Sequence, residues 1–171
     1  MTPWMDVKEI NLIISKLKIT DKMLEYGSGG STITFSKYVS KYYSIEHVEE
    51  WYNDVLKELS TKELLDISYH LIKPDFPRTK PTKYREFKTY IEYPKIFNTK
   101  FDKVLIDGRG RQYCAEFILP YLHKDSIVFI HDYFTRPQYH LVEQWYNITD
   151  SVKNTTQTIV ALTPKQKYVE N

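Results

Sequence analysis

Two short stretches hold all five glycines of this 171-residue chain: "EYGSGGST" (25–32) and "LIDGRGR" (105–111). Each sets a carboxylate just ahead of its glycines, Glu25 before Gly27 and Asp107 before Gly108. Glycine takes backbone angles that other residues avoid and lets the main chain come close to a ligand. A glycine turn between an apolar run and a helix offers backbone N–H groups to an anion at the positive helix end. Glu46 ends the next apolar run, 19 positions after Gly27. A carboxylate at that spacing accepts hydrogen bonds from both hydroxyls of a ribose. The readings without a ligand are a tight turn and a surface acid at a strand end.

Ribose-bearing cofactors differ in what the turn must face. A dinucleotide turn reads GxGxxG and points a helix N-terminus at a pyrophosphate. Here the order is G-S-G-G-S-T, and Glu25 would repel a pyrophosphate while pairing with an amino-acid ammonium group. The turn therefore favours S-adenosylmethionine over NAD. Further along, Asp107, His131 and Asp132 fall at the ends of two apolar runs. A hydroxyl attacking a methyl group must lose its proton as the bond forms. His131 titrates nearest neutrality and is the better-tuned base, with Asp107 or Asp132 orienting it or serving directly. The structural alternatives are a turn cap at Asp132 and a backbone-bonded His131. Arg109 and Arg111 flank Gly110, suited either to a carboxylate or phosphate on an acceptor or to ion pairs with neighbouring acids. Cys114 reads as core rather than nucleophile.

These groups must be positioned by alternating strands and helices. The apolar spacing predicts a helix over 6–17, a strand over 22–27 and a helix over 31–40, with Ser31 or Thr32 near its N-cap. A strand over 42–47, a helix over 48–59 and a strand over 63–72 follow. Residues 73–100, with four prolines and many charges, read as a long loop carrying one short helix near 83–91. Then come a strand (101–108), a helix (111–123) with Pro120 late in it, a strand (126–133) and a helix (138–146). Two strands, 148–156 and 157–164, close the chain. Such alternation predicts an α/β fold, a mostly parallel sheet covered on both faces.

Composition bounds the partners. The length fits one domain spanning 1–171. A net charge of +2 points to neither a nucleic acid nor a strongly acidic partner. Between 73 and 88, however, six Lys or Arg face two acids, interleaved with Tyr84 and Phe87. That loop is a solvated face or a surface for an acidic glycan, a nucleotide-sugar phosphate or RNA. No apolar stretch reaches the length of a membrane helix. A single cysteine and an N-terminus without an apolar leader core fit a reducing, cytoplasmic compartment. Tyr133, Arg136, Tyr139 and His140 are the remaining acceptor-contact candidates, because aromatic faces and hydrogen bonds hold sugars.

"EYGSGGST", "YSIEH" with "EEWY", "VLIDGRGR" and "SIVFIHDY" together resemble the class I S-adenosylmethionine-dependent methyltransferases, over roughly residues 20–165. "IDGRGRQYCAEFILPYLHKDSIVFIHDY" is similar to methyltransferase domains of glycan modification, including those in glycan-building proteins of large DNA viruses. The resemblance implies a Rossmann-like three-layer sandwich, a seven-stranded sheet with its last strand antiparallel. It implies O-methylation of a sugar or glycan hydroxyl, in the host cytoplasm for a viral protein. It assigns Glu25, Gly27, Ser28 and Gly29 to the methionine end of the cofactor, with Tyr26, Ser31 and Thr32 as further cofactor contacts. Glu46 and His47 go to ribose and adenine, and Asp107 to the transferable methyl group. Some members hold a divalent ion at these strand ends with paired aspartates. This chain has His131–Asp132 there, so no metal ligand is assigned. The chain is also compatible with being one domain of a larger glycan-building protein.

Overall fold

The computed structural model describes residues 1–61, 66–154 and 158–169. Its strands are β1 (Lys22–Tyr26), β2 (Lys41–Glu46), β3 (Ile67–Leu71), β4 (Phe101–Ile106), β5 (Leu122–His131), β6 (Tyr146–Lys153) and β7 (Thr158–Pro164). They form one sheet in the order β3-β2-β1-β4-β5-β7-β6. Neighbours from β3 through to β5 run parallel, whereas β7 is antiparallel to both β5 and β6. The helices are α1 (Val7–Lys16), α2 (Gly30–Phe35), α3 (Glu49–Ser60), α4 (Lys88–Glu92) and α5 (Arg111–Phe117). The expected mixed seven-stranded sheet with its last strand antiparallel is present.

Strand periodicity splits the core in two, because successive side chains point to opposite faces. Leu24 and Tyr26, Val104 and Ile106, and Val128 and Ile130 pack on one face with Tyr90, Ile91 and Cys114. Met23, Leu105 and Phe129 pack on the other with Phe35 and with Ile13 of α1. Burial on both faces explains why the central strands read as continuous apolar runs rather than alternating ones.

Several boundaries differ from expectation. Helix α2 stops at Phe35 and passes into a 3-10 turn, Ser36–Tyr38. The β-branched Thr32, Ile33 and Thr34 fill its middle, a poor composition for a long helix. Helix α5 stops at Phe117, and Pro120 lies in a 3-10 turn before β5. Proline removes a helical hydrogen bond and clashes with the preceding turn. Strand β5 therefore begins at Leu122 rather than 126, and it ends at His131 because Asp132 takes a left-handed φ of 59°. Residues Pro137–Gln144 form a 3-10 helix instead of an α-helix, and β6 starts at Tyr146. The outer ends of the expected strands 63–72, 148–156 and 157–164 fall partly on residues outside the described ones.

The largest departure is 73–100. Its second half is not a free loop but a covering layer, with 3-10 turns at Tyr84–Glu86 and Tyr93–Phe97 around α4. Phe87, Tyr90 and Ile91 of this segment are fully enclosed by the core. Among the described residues no helix is long and apolar enough to cross a membrane.

Candidate active site

The carboxyl ends of β1, β2, β4 and β5 gather the groups singled out above. Glu25 lies beside Ser44 of β2 in the strand register, which accounts for the 2.7 Å hydrogen bond from Ser44 Oγ to Glu25 Oε2. Thr32 Oγ1 donates to the same oxygen at 2.6 Å and accepts from Gly29 N at 3.0 Å, tying the glycine turn to the acid. Glu25 Oε1 is buried without a hydrogen-bond partner. Burial pushes the Glu25 carboxyl up to about 7, against the pull of the Ser31, Thr32 and Ser44 hydroxyls.

Gly27 turns the chain at φ 89°, and its N–H donates to Ile45 O at 2.8 Å. The backbone of Gly108 lies directly against it, leaving no room for a side chain between the turns after β1 and β4. At the first turn of α2, Thr2 and Pro3 run against Gly30, while Trp4 packs 5.3 Å from Trp51, so the amino-terminal segment covers this helix end.

Glu46 is almost wholly enclosed and heavily engaged. Its Oε1 accepts from His47 N at 2.6 Å and Val48 N at 2.8 Å, with His47 Nδ1 at 2.9 Å. Its Oε2 accepts from Ser28 N at 2.9 Å and Ser28 Oγ at 3.1 Å. Burial raises the carboxyl, but the His47 contact and the Val48 and Ser28 amides outweigh it and hold the group below the usual range. Ser28 also meets Tyr69 Oη at 2.6 Å, and Trp51 Nε1 donates to Ser28 O at 2.5 Å. The Ser28 hydroxyl thus bridges Glu46 and Tyr69. Tyr26 contributes only backbone to the turn, since its hydroxyl donates to Ile91 O at 2.8 Å inside the core. The His47 ring packs against Phe87 and Tyr90.

At the β4 and β5 ends, His131 Nδ1 stands 3.0 Å from Asp107 Oδ1, and its Nε2 stands 3.5 Å from Glu9 Oε1. Burial pulls the imidazole down, but the Asp107 hydrogen bond and the charges of Asp107, Asp132 and Glu9 outweigh it, so His131 titrates above its ordinary value. Both ring nitrogens face acids. Arg111 closes the cluster. Its Nε donates to Gly108 O at 3.1 Å, its Nη1 to His131 O, and its Nη2 pairs with Asp107 at 3.1 Å and Asp132 at 3.3 Å. Asp107, His131 and Asp132 are close enough to share a cation. The cation between the two aspartates is this guanidinium.

A cavity of about 830 Å³ opens beside Asp132, walled by Arg78 and residues 80–83, by the turn and helix start at 109–113, and by Arg136–Tyr139. Asp132 and Arg111 line it, whereas the buried His131 lies behind them. Arg109, Arg136 and Tyr139 also line it. Tyr133 is buried with its hydroxyl on Glu143 at 2.7 Å, and its ring packs 4.8 Å from the exposed His140.

Glu9 was not among the residues singled out from sequence. It stands three positions after Asp6 and completes a capping box, its Oε2 accepting from Asp6 N at 2.8 Å. That spacing is legible as a helix start; its second role against His131 is not. Trp51 and Tyr69 hold Ser28; Trp51 falls within "EEWY" without a role being assigned to it, and Tyr69 is not singled out by the sequence.

No protein-family model and no curated protein sequence matches the chain. Solved structures do. A methyltransferase-like protein from Silicibacter pomeroyi is 22% identical with TM-score 0.69, over 95% of this chain and 89% of that one. An rRNA methylase from Streptococcus thermophilus is 13% identical with TM-score 0.67, over 93% and 95%. A Streptococcus mutans protein assigned as a methyltransferase, solved in complex with SAH, is 11% identical with TM-score 0.68, over 96% and 100%. The chain therefore has the Rossmann-like methyltransferase fold.

Proposed function

We propose that this chain is an S-adenosylmethionine-dependent O-methyltransferase acting on the hydroxyl of a sugar or glycan. The observation that carries the reading is Asp132, clamped by Arg111 on the wall of a substrate-sized cavity just past the β5 end, in the same sheet whose β1 and β2 ends hold Glu25, Gly27 and Glu46. The residues suit the cofactor. Glu25, with its orphan buried oxygen, fits the methionine ammonium. Glu46 fits the ribose diol, which would enter by replacing the Ser28 hydroxyl on Oε2.

When bound, the cofactor supplies an electrophilic methyl group on a sulfonium. The chain then has to position the acceptor and remove its proton. Asp132 faces the cavity and takes that proton. His131 is buried and does not line the cavity, with Nδ1 on Asp107 and Nε2 3.5 Å from Glu9, so it positions Asp107 rather than acting as base. Arg111 holds Asp107 and Asp132 in one arrangement and supplies the positive charge between them.

Isothermal titration with S-adenosylhomocysteine and with NAD, followed by transfer of labelled methyl to a panel of sugars, tests the reading. Binding of NAD alone would overturn it. The likeness to an rRNA methylase and the basic 73–88 segment favour a second acceptor class, RNA, which belongs in the same panel.

A further inference from the structure

The cavity beside Asp132 has an unusual charge. Arg78, Lys80, Lys83, Arg109, Arg111 and Arg136 line it, and Asp132 is the one acid among its lining residues. Arg111 is committed to Asp107 and Asp132. The other five cations make no salt bridge among the described residues, and the whole chain carries only +2. Five cations without a salt-bridge partner therefore crowd the walls of one cavity that holds a single acid. Arg109 registers the crowding. Burial first, and then the neighbouring charges of Arg78, Arg111 and Arg136, hold its guanidinium below the ordinary arginine value. Like charges gathered around a concave space repel one another until an anion enters. Tyr113 and Tyr139 add aromatic faces to the same walls.

Resting on the methyltransferase reading, we propose that the acceptor is a phosphorylated sugar, its phosphate or diphosphate held by Arg78, Arg109 and Arg136 while a hydroxyl of the same molecule meets Asp132. Guanidinium forks bind phosphate oxygens in pairs, which a carboxylate-free sugar gives them no reason to do. Five unpaired cations exceed what the single charge of a uronic acid calls for and suit the two or three charges of a diphosphate. The volume lies in the range of small-molecule sites, about 300–1,000 Å³. A polynucleotide would instead ask for a basic stripe that continues along the surface.

The test is binding, so it stands apart from turnover. Wild-type protein is titrated calorimetrically with inorganic pyrophosphate, glucose 1-phosphate, UDP-glucose, glucose and a 20-nucleotide single-stranded RNA. The expected result is binding of pyrophosphate and of at least one of the two phosphorylated sugars, with none for glucose. The preferred phosphorylated sugar tells a simple sugar phosphate from a nucleotide sugar. In an Arg109→Gln/Arg136→Gln double variant those affinities should fall about 100-fold, a loss in keeping with two charge-assisted contacts. Arg109 and Arg136 both lie at the surface, the Arg109 guanidinium turned into the cavity wall, so the variant should keep its fold, and S-adenosylhomocysteine titration of the variant checks that. No phosphate binding, equal binding of glucose, an unaffected double variant, or RNA binding that pyrophosphate does not displace would each overturn the proposal. If wild type binds pyrophosphate but not S-adenosylhomocysteine, the methyltransferase reading falls and the anion site remains.

Discussion

Gly27 and Gly108 meet backbone to backbone: a β-carbon on Gly27 would fall 2.6 Å from the amide nitrogen of Gly108. Asp107 N also donates to Tyr26 O at 2.9 Å across the same seam. The two glycine turns picked out from sequence are therefore one structure. Its halves come from β1 and β4, about 80 residues apart in the chain, and the parallel register of those strands brings them together. Because Gly27 is left-handed as well as crowded, Gly27→Ala should cost about 3 kcal/mol or more, read from the urea midpoint. Cofactor binding should be lost with it. A midpoint within 0.5 kcal/mol of wild type, on the usual scale of neutral surface changes, would contradict this seam.

Glu25 sets a pH dependence. Its carboxyl titrates at about 7 in the folded chain against an ordinary value of 4.5. Between those two values the folded state binds more protons than the unfolded one, so stability falls as pH rises from about 4.5 to 7. Glu25→Gln should remove this slope and stabilise the ligand-free protein by about 1–3 kcal/mol at pH 8. Affinity for S-adenosylmethionine should move the other way, strengthening as pH climbs through 7 and the carboxylate forms. Calorimetry from pH 6 to pH 8 checks the sign.

His131 contributes in the opposite sense to an ordinary acid. Its raised value means that its stabilising effect is complete below the unfolded value near 6.5 and is lost as pH rises through the folded one. The stability gap between wild type and His131→Gln should shrink from pH 6 to pH 9. A gap that widens would show that Asp107 and Glu9 do not hold the imidazolium.

Asp132 and His131 should separate kinetically. Asp132→Asn is expected to lower methyl transfer by about 10²–10⁴-fold with S-adenosylhomocysteine affinity kept, the usual range for a lost proton acceptor. His131→Gln should lower transfer less and should not abolish its dependence on pH. Equal losses in both would return His131 to the role of base.

Ser28 competes for the Glu46 carboxylate. Removing its hydroxyl in Ser28→Ala should leave adenosine affinity unchanged or raise it a few-fold, since Oε2 is then freed for a ribose hydroxyl. Glu46→Ala should weaken adenosine about 10-fold or more, the value of one strong hydrogen bond to a charged group. An unchanged affinity in the second variant would remove Glu46 from the cofactor site.

What the amino-acid sequence determined by itself was periodic or local. Apolar runs mark the parallel strands, the two glycine turns mark where β1 and β4 stop, and Glu25, Glu46, Asp107 and Asp132 stand out because each acid lies near the end of such a run or just after it. Covering by 84–97 was not legible, because its aromatic residues have no repeat and the prolines just ahead of it, Pro74, Pro77 and Pro81, mimic a loop. Nor were the partners within the site. That Glu9 of α1 reaches His131, that Ser28 turns to Glu46, and that Arg111 clamps two aspartates depend on segments far apart in the chain packing against one sheet. Side-chain direction and burial follow from that packing, and residue order alone carries neither.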